Sequence, residues 1–195
     1  MSVSAAAAVD PLAAIAQRAA ADQKHIVLSE GFDPRVQAAA RVAAAQGLAR
    51  RYAAALHRLR AHKGMTADKA AEAMRDPLIF AAMMVREGLA DGTVGGCVYT
   101  TSDTVRAALQ VIGKAKGAPL VSSFFLMTLP PDHPAGPKGM VFSDCGLVID
   151  PSAQELAGIA QQAAASAQAL LQGDPRVAML SFSTKGSARH PAVDK

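Results

Sequence analysis

Asp-Pro dipeptides punctuate this chain, and they constrain where its helices can begin. An aspartate accepts hydrogen bonds from the orphan N–H groups of a first helical turn, and proline is tolerated there because its missing N–H would have gone unbonded anyway. Asp10-Pro11, Asp33-Pro34, Asp76-Pro77 and Asp150-Pro151 each precede a stretch with apolar residues at helical spacing. Behind the first, Leu12, Ile15 and Ala19 share a face as far as about Asp22. Behind the second, Val36, Ala39, Ala40 and Ala43 do so until Gly47 stops the helix. The third opens a helix through Ile79, Phe80, Met83 and Met84 to Gly88, its methionines reading as core filler. The fourth opens a long alanine-rich helix with Leu156, Ile159, Ala160, Ala163 and Ala167 inward. A fifth, Asp174-Pro175 after Gly173, reads as a turn.

Short apolar runs between these helices read as strands. His25 to Leu28 is expected to be a buried strand ending in Ser29-Glu30-Gly31, and strand, acidic turn and helix in that order open a parallel α/β sheet. At Arg50-Arg51 the order breaks. Tyr52 to Lys63 is again helical, so two helices succeed each other without the strand a doubly wound sheet needs, and a piece is expected to be absent. Thr66 can cap a helix over residues 67–75 with Ala71 and Met74 inward. Residues 121–129 read as a second buried strand, and a proline- and glycine-rich loop joins them to residues 140–144 in a hairpin with an exposed tip. Residues 176–182, RVAMLSF, read as one more strand, leading into Ser183, Thr184, Lys185, Gly186 and Ser187. That turn is rich in hydroxyls and can cradle phosphate through backbone N–H groups, although the GxxxxGK[ST] spacing of a P-loop is missing. With no helix to cover this last strand, the domain is expected to be unfinished.

The stretch from Gly88 to Gly117 carries the most chemistry. A turn at Asp91-Gly92 precedes a run through Val94, Cys97, Val98 and Tyr99 that reads as a buried strand, and Thr100-Thr101-Ser102-Asp103 follows. Val105, Ala108, Leu109 and Ile112 then fall on one helical face, with Thr101 or Ser102 as the cap and Asp103 suited to the helix dipole. Arg106 is not suited to it. A cation near the first turn faces the positive end of the macrodipole, at a cost of about 0.3–1 kcal/mol unless an anion lies between them. One reading is therefore an anion pocket of backbone N–H groups and guanidinium; the other places Arg106 on the solvent face, reaching an acidic neighbour.

Composition narrows the partners. Half of the 195 residues are hydrophobic, much of that alanine, and only two tyrosines and six phenylalanines are aromatic, which favours small-residue helices packed on a sheet. The net charge of +4 is scattered, suiting a small anion, and no basic stripe with stacking aromatics signals nucleic acid. Cys97 and Cys145 fit neither zinc-ligand nor disulfide spacing, so no metal is expected and both read as small buried residues in a reducing compartment. The N-terminus lacks a signal-peptide pattern and no segment approaches the twenty or so apolar residues of a membrane helix, so the cytoplasm is the default location.

The chain resembles the phosphate acetyltransferase (phosphotransacetylase) family. The likeness is carried by IVLSEGFDPRVQAAA, by LHRLRAHKGM and MMVREGLADG, by TSDTVRAALQVI, by FSDCGLVIDPSAQELAGIA and by RVAMLSFSTKGSA, collinear over nearly the whole chain. It implies a three-layer α/β/α fold like that of the isocitrate/isopropylmalate dehydrogenases, present here incompletely. A first α/β domain is expected over residues 1–117 and a partial second one over residues 118–195. It further implies reversible acetyl transfer between coenzyme A and inorganic phosphate in a homodimer, with coenzyme A as a substrate rather than a tightly held cofactor. By position, Arg60 matches the family arginine credited with binding the phosphoryl or coenzyme A moiety and Arg106 the second active-site arginine. Thr101, Ser102 and the turn of Ser183, Thr184, Lys185, Gly186 and Ser187 are expected to line the same cleft.

Two departures qualify that expectation. The family carries a strand and helix between the segment matching Gly47-Leu48-Ala49 and the one beginning at Arg51, and no counterpart exists here. Family chains also continue past the residue matching Lys195 to an LSRG motif, which supplies a serine, a third arginine and, soon after, the aspartate that takes the thiol proton; LSRG does not occur in this sequence. Losing a general base and an oxyanion donor costs roughly 10²–10⁴ and 10²–10³ in rate. Asp103, His62 and His190 are the candidate substitutes for the base. The competing readings are thus an acetyl-transferring enzyme, a butyryl-transferring variant, a regulatory domain like the tail of bifunctional malic enzymes, and a form that only binds coenzyme A or phosphate.

Overall fold

The computed structural model describes residues 10–22, 24–29, 47–96, 98–130, 132–135, 138–181, 183, 187 and 189–194. The expected helix after Asp33-Pro34 lies outside them. Tertiary contacts divide the chain into two units, Gln23–Lys114 and a second made of Met1–Asp22 with Ala115–Lys195.

In the Gln23–Lys114 unit, β1 (Ile26–Leu28) and β2 (Gly92–Val94) pair in parallel, with Ile26 opposite Gly92 and Leu28 opposite Val94. This is the parallel pairing the strand–turn–helix order predicts. The strands differ from expectation in length and burial. β2 ends at Val94, so Val98 and Tyr99 lie outside it, and Ile26, Leu28 and Val94 are all more than half exposed. A pair with no third strand beside it, among the described residues, leaves much of its apolar surface in water.

Helices supply the core instead. α2 (Leu48–Arg60) begins four residues before the predicted Tyr52 and runs straight through Arg50-Arg51, with Gly47, left-handed at φ 68°, at the N-cap. A 3₁₀ turn (Ala61–Lys63) follows, then α3 (Ala67–Ala73), capped as predicted by Thr66 Oγ1 accepting from Lys69 N–H at 3.2 Å. α3 is shorter than predicted, and Ala70 rather than Ala71 is its buried residue. α4 (Pro77–Arg86) starts as its Asp-Pro dictates, Asp76 accepting from Leu78 N–H at 2.8 Å. It packs between α2 and α5 (Thr101–Val111). Tyr52, Leu56, Met83 and Val111 are the largest side chains fully out of water, and the Tyr52 and Phe80 rings meet edge to face at 5.3 Å. α5 inserts Ala107 and Val111, while Leu109 and Ile112 are 46% and 39% exposed, so its buried face is rotated from the predicted one. Arg86 fixes the α4–α5 pair by donating from Nη1 to the Val111 carbonyl at 2.7 Å.

Among the described residues the Tyr52 hydroxyl is buried without a hydrogen-bond partner in good geometry. Burial pushes its phenol up from the ordinary value, with the Arg51 guanidinium pulling the other way. An unpaired polar atom in a core costs about 1–3 kcal/mol, so Tyr52→Phe is expected to hold or raise stability by up to about 1 kcal/mol; chemical denaturation measures it, and a clear loss would mean that the hydroxyl has a partner.

The other unit contains α1 (Pro11–Ala21), an antiparallel hairpin of β3 (Phe124–Thr128) and β4 (Gly139–Ser143), α6 (Ala153–Leu171) and a short terminal helix α7 (Pro191–Asp194). The hairpin is the predicted one, with Phe125 opposite Phe142 and Met127 opposite Met140. Those four side chains share one face, and it is exposed, so the strands are not buried as expected. α6 covers the hairpin at β4, where a Cβ on Gly139 would collide with the Leu171 side chain. α6 is not capped by Asp150. Ser152 accepts from Glu155 N–H at 3.3 Å while the Glu155 carboxylate accepts from Ser152 N–H at 2.8 Å, a capping box that starts the helix two residues late. At its far end Arg18 of α1 donates to the carbonyls of Ala169 (2.8 Å) and Leu170. A guanidinium there meets orphan acceptors at the negative end of the helix dipole. Residues 174–181 form no strand, and Val177, Met179 and Leu180 are 51%, 56% and 85% exposed. Among the described residues they have no strand partner, and β propensity alone does not order a backbone.

Candidate functional site

The N-terminus of α5 is where the sequence concentrates its chemistry, and its geometry starts from Thr100. Thr100, not Thr101 or Ser102, is the cap: its Oγ1 accepts from Asp103 N–H at 3.2 Å and donates to Asp103 Oδ2 at 2.7 Å. Asp103 Oδ1 then accepts from Arg106 Nη1 at 2.9 Å. The chain Thr100–Asp103–Arg106 is thus one polar train along the first turn. Asp103 is thus the acidic neighbour that one of the two sequence readings expects Arg106 to reach. The Thr100 hydroxyl, with Arg106 adding to it, holds the Asp103 carboxyl below its ordinary value. Arg106 remains 62% exposed, and Thr101 and Ser102 are exposed beside it.

Arg60 ends α2. With His57 and Arg58 it forms a basic last turn, which suits the negative end of the helix dipole, and the Arg60 carbonyl accepts from Met65 N–H at 3.3 Å as the chain reverses through Gly64 at φ 79°. Among the described residues Arg60 makes no ion pair. Arg60 on α2 and Arg106 on α5 stand on two different helices, both of which pack against α4. Of the turn after residue 182, only Ser183 and Ser187 are described; Ser183 N–H donates to Ser181 Oγ at 3.0 Å, and Thr184, Lys185 and Gly186 lie outside the described residues.

Two hollows occur elsewhere. One of about 560 Å³ lies between β4, α6 and residues 173–180, lined mainly by apolar side chains such as Met140, Phe142, Leu156 and Ile159. The other, about 420 Å³, is floored by alanines of α2 and α3 and edged by Arg50, His57 and Arg58. Neither Arg60 nor Arg106 lines either hollow. Among the described residues no cluster of His, Cys, Asp or Glu is arranged to hold a metal ion, and no helix is long and apolar enough to cross a membrane.

A polar cluster the sequence reading passed over surrounds Asp144, at the end of β4. Its Oδ1 accepts from Gly146 N–H and Leu147 N–H, both at 2.8 Å, and from Ser123 Oγ at 2.9 Å; Oδ2 accepts from Ser123 N–H at 2.8 Å and Ser122 Oγ at 3.1 Å. Burial by itself would raise this carboxyl; the backbone donors of Leu147, Ser123 and Gly146 and the Ser123 hydroxyl override it and hold the group far below its usual value. Cys145 beside it is half-buried and free, its thiol 3.5 Å from Ser123 Oγ.

Comparison with known proteins gives this geometry a context. Residues 49–195 match the family profile described as phosphate acetyl/butaryl transferase. A phosphate acetyltransferase from Paracoccus denitrificans is 52% identical over 210 aligned positions that cover 95% of this chain and 66% of the relative. One from Thermoanaerobacterium thermosaccharolyticum is 40% identical, with 93% and 66% covered. Among solved structures, a phosphotransacetylase from Streptococcus pyogenes superposes with a TM-score of 0.76 at 32% identity, spanning all of this chain and 67% of that one. The EutD phosphotransacetylase from Staphylococcus aureus gives 0.72 at 31%, over 95% and 64%. The chain therefore spans just under two thirds of the length of the curated relatives it matches. An alignment of 210 positions is also longer than this 195-residue chain, so the Paracoccus protein carries internal residues with no counterpart here.

Proposed function

Since the chain belongs to the phosphate acetyl/butaryl transferase family, we propose that it transfers acetyl between coenzyme A and inorganic phosphate, with Arg106 and Arg60 as the phosphoryl-binding residues. The observation that carries the reading is the placement of Arg106: a guanidinium at a helix N-terminus, largely in water, with Nη1 on Asp103. In the reaction the coenzyme A thiolate attacks the carbonyl carbon of acetyl phosphate, the carbonyl C–O bond breaks, and phosphate leaves with the bonding pair. Guanidinium groups serve this step by holding the phosphoryl oxygens and neutralising the charge that builds on the leaving one. Coenzyme A enters as a substrate and no bound cofactor is invoked. Asp103 is a poor candidate for the base that takes the thiol proton, because Thr100 and Arg106 stabilise its ionised form and so weaken its affinity for a proton.

The remaining parts of the reading follow from family membership. They are the dehydrogenase-like three-layer architecture, a domain boundary near residue 117, a homodimer, a cytoplasmic location, and a part for Thr101 and Ser102 in holding the phosphoryl group beside Arg106. The test is acetyl-CoA formation from acetyl phosphate and coenzyme A by the purified 195-residue chain. Turnover that falls by roughly 10²–10³ in Arg106→Ala supports the reading. Coenzyme A binding without turnover identifies the binding-only form, which the internal residues missing relative to the Paracoccus protein favour.

A further inference from the structure

We infer that the trough between α2 and α3 is a binding site for a medium-chain carboxylate, whose alkyl tail lies on the alanine floor while His57 and Arg58 hold the charged head. The hollow measures about 420 Å³, within the size range of small-molecule sites. Neither Arg60 nor Arg106 lines it, so this site is separable from the proposed acetyl transfer.

The two helices make this space by what they lack. Ala49 and Ala53, four residues apart, lie on one side of α2, and Ala67, Ala71 and Met74 lie at four- and three-residue steps on one side of α3. Larger side chains would fill the valley between packed helices, whereas alanine methyls leave it open. Ala54, Ala67 and Ala71 are exposed, and no floor side chain carries a polar group. Water there finds no side-chain partner, so an alkyl chain that displaces it gains burial without stranding a hydrogen-bonding group.

Cations close one edge. Arg50, His57 and Arg58 border the hollow, and among the described residues none of them forms an ion pair. The acids of α3 do not answer them: Asp68 and Glu72 do not line the hollow, and Glu72 pairs with Arg75 at 3.4 Å. His57 and Arg58 stand together in the last turn of α2, and Arg50 is eight residues before Arg58, about 12 Å along the axis. An anionic head therefore pairs at the His57–Arg58 end, where a guanidinium can grip both carboxylate oxygens, and the tail runs along the alanines toward Arg50. An apolar floor with a cationic edge excludes a purely polar anion, which gains nothing from the floor, and a neutral lipid, which gains nothing from the edge.

Ligand-detected NMR titration of the purified chain with butyrate, hexanoate, octanoate and 1-octanol tests it. Octanoate is expected to bind near ~1 mM, a modest yield for a ligand of its size. Affinity should rise about twofold to fourfold per methylene along the acid series. Octanol should bind about fivefold more weakly than octanoate, the yield of one exposed ion pair. Arg58→Gln should lower octanoate to the level of octanol, and Ala71→Leu, at an exposed position, should fill the trough and abolish the chain-length trend; circular dichroism checks that both variants are folded. Equal affinity for octanoate and octanol, or for octanoate and butyrate, overturns the inference. So does octanoate binding unchanged in both folded variants, which would place the acid elsewhere on the chain. Concentration-dependent self-association in sedimentation, lost in Arg58→Gln and insensitive to octanoate, would assign the trough to a second copy of the chain and overturn it equally.

Discussion

Replacing Asp144 by alanine is expected to destabilise the chain by about 2–4 kcal/mol. One carboxylate here accepts five hydrogen bonds, from the backbone N–H groups of Ser123, Gly146 and Leu147 and from the hydroxyls of Ser122 and Ser123. They come from the segment entering β3 and the turn leaving β4, so Asp144 closes the open end of the hairpin, opposite its loop. Alanine would leave three backbone donors in a half-buried setting without their acceptor, and each orphan costs about 1–3 kcal/mol, less where water replaces the lost oxygen. Asp144→Asn keeps the shape and one acceptor oxygen and should lose less. The pH dependence carries a sign. Donors lower the folded-state pKa below the unfolded value of about 3.9. The group therefore contributes its full stabilisation above that value and loses it as pH falls through it toward the folded pKa. Native and Asp144→Ala chains, compared by guanidinium denaturation, should differ most at neutral pH, and the difference should shrink as pH falls below the unfolded value toward the folded one. A difference under about 0.5 kcal/mol at neutral pH, the scatter of ordinary surface changes, would show that water satisfies these donors as well as the carboxylate does.

What was legible in the sequence was what local chemistry decides. Asp10 and Asp76 cap their helices because the accepting oxygen and the donating N–H are two residues apart. The same locality explains two errors. The Ser152–Glu155 capping box, and Thr100 accepting from Asp103 N–H three residues on, displace the caps expected at Asp150 and at Thr101 or Ser102. Burial was less legible, because it depends on neighbours remote in sequence. Ala107 and Val111 face α4 and Leu109 does not: a small side chain lets two helices approach, and periodicity counts hydrophobic residues without knowing where the partner helix lies. The strands existed where apolar runs had a pairing partner, as at β1–β2 and β3–β4, and residues 174–181, with no partner among the described residues, stay irregular. Arg18 on the α6 carbonyls, 151 residues distant in sequence, had no local signal at all. At the candidate site, residue type and dipole mismatch singled out Arg106, while its pairing with Asp103 was one of two readings, because spacing alone does not say which way a long side chain turns.

Alanine at either Arg60 or Arg106 is expected to lower acetyl-CoA formation by roughly 10²–10³, and alanine at both by much less than the product of the two. The non-additivity separates a shared phosphate from two independent roles. Guanidinium groups that hold the oxygens of one phosphoryl group act as a unit: once one is gone the ligand shifts, and the second loses most of its effect. An Arg60 that only complements the negative end of α2 would behave otherwise, since a favourable charge at an exposed helix end is worth about 0.3–1 kcal/mol of stability and nothing specific in turnover. The four proteins therefore need both readouts, kcat/KM for acetyl phosphate and unfolding free energy, along with phosphate affinity by calorimetry. Additive losses in kcat/KM would place the two arginines on different parts of the substrates. A loss in stability with kcat/KM unchanged at Arg60 would reduce it to the basic last turn of α2, with Arg106 alone holding the anion.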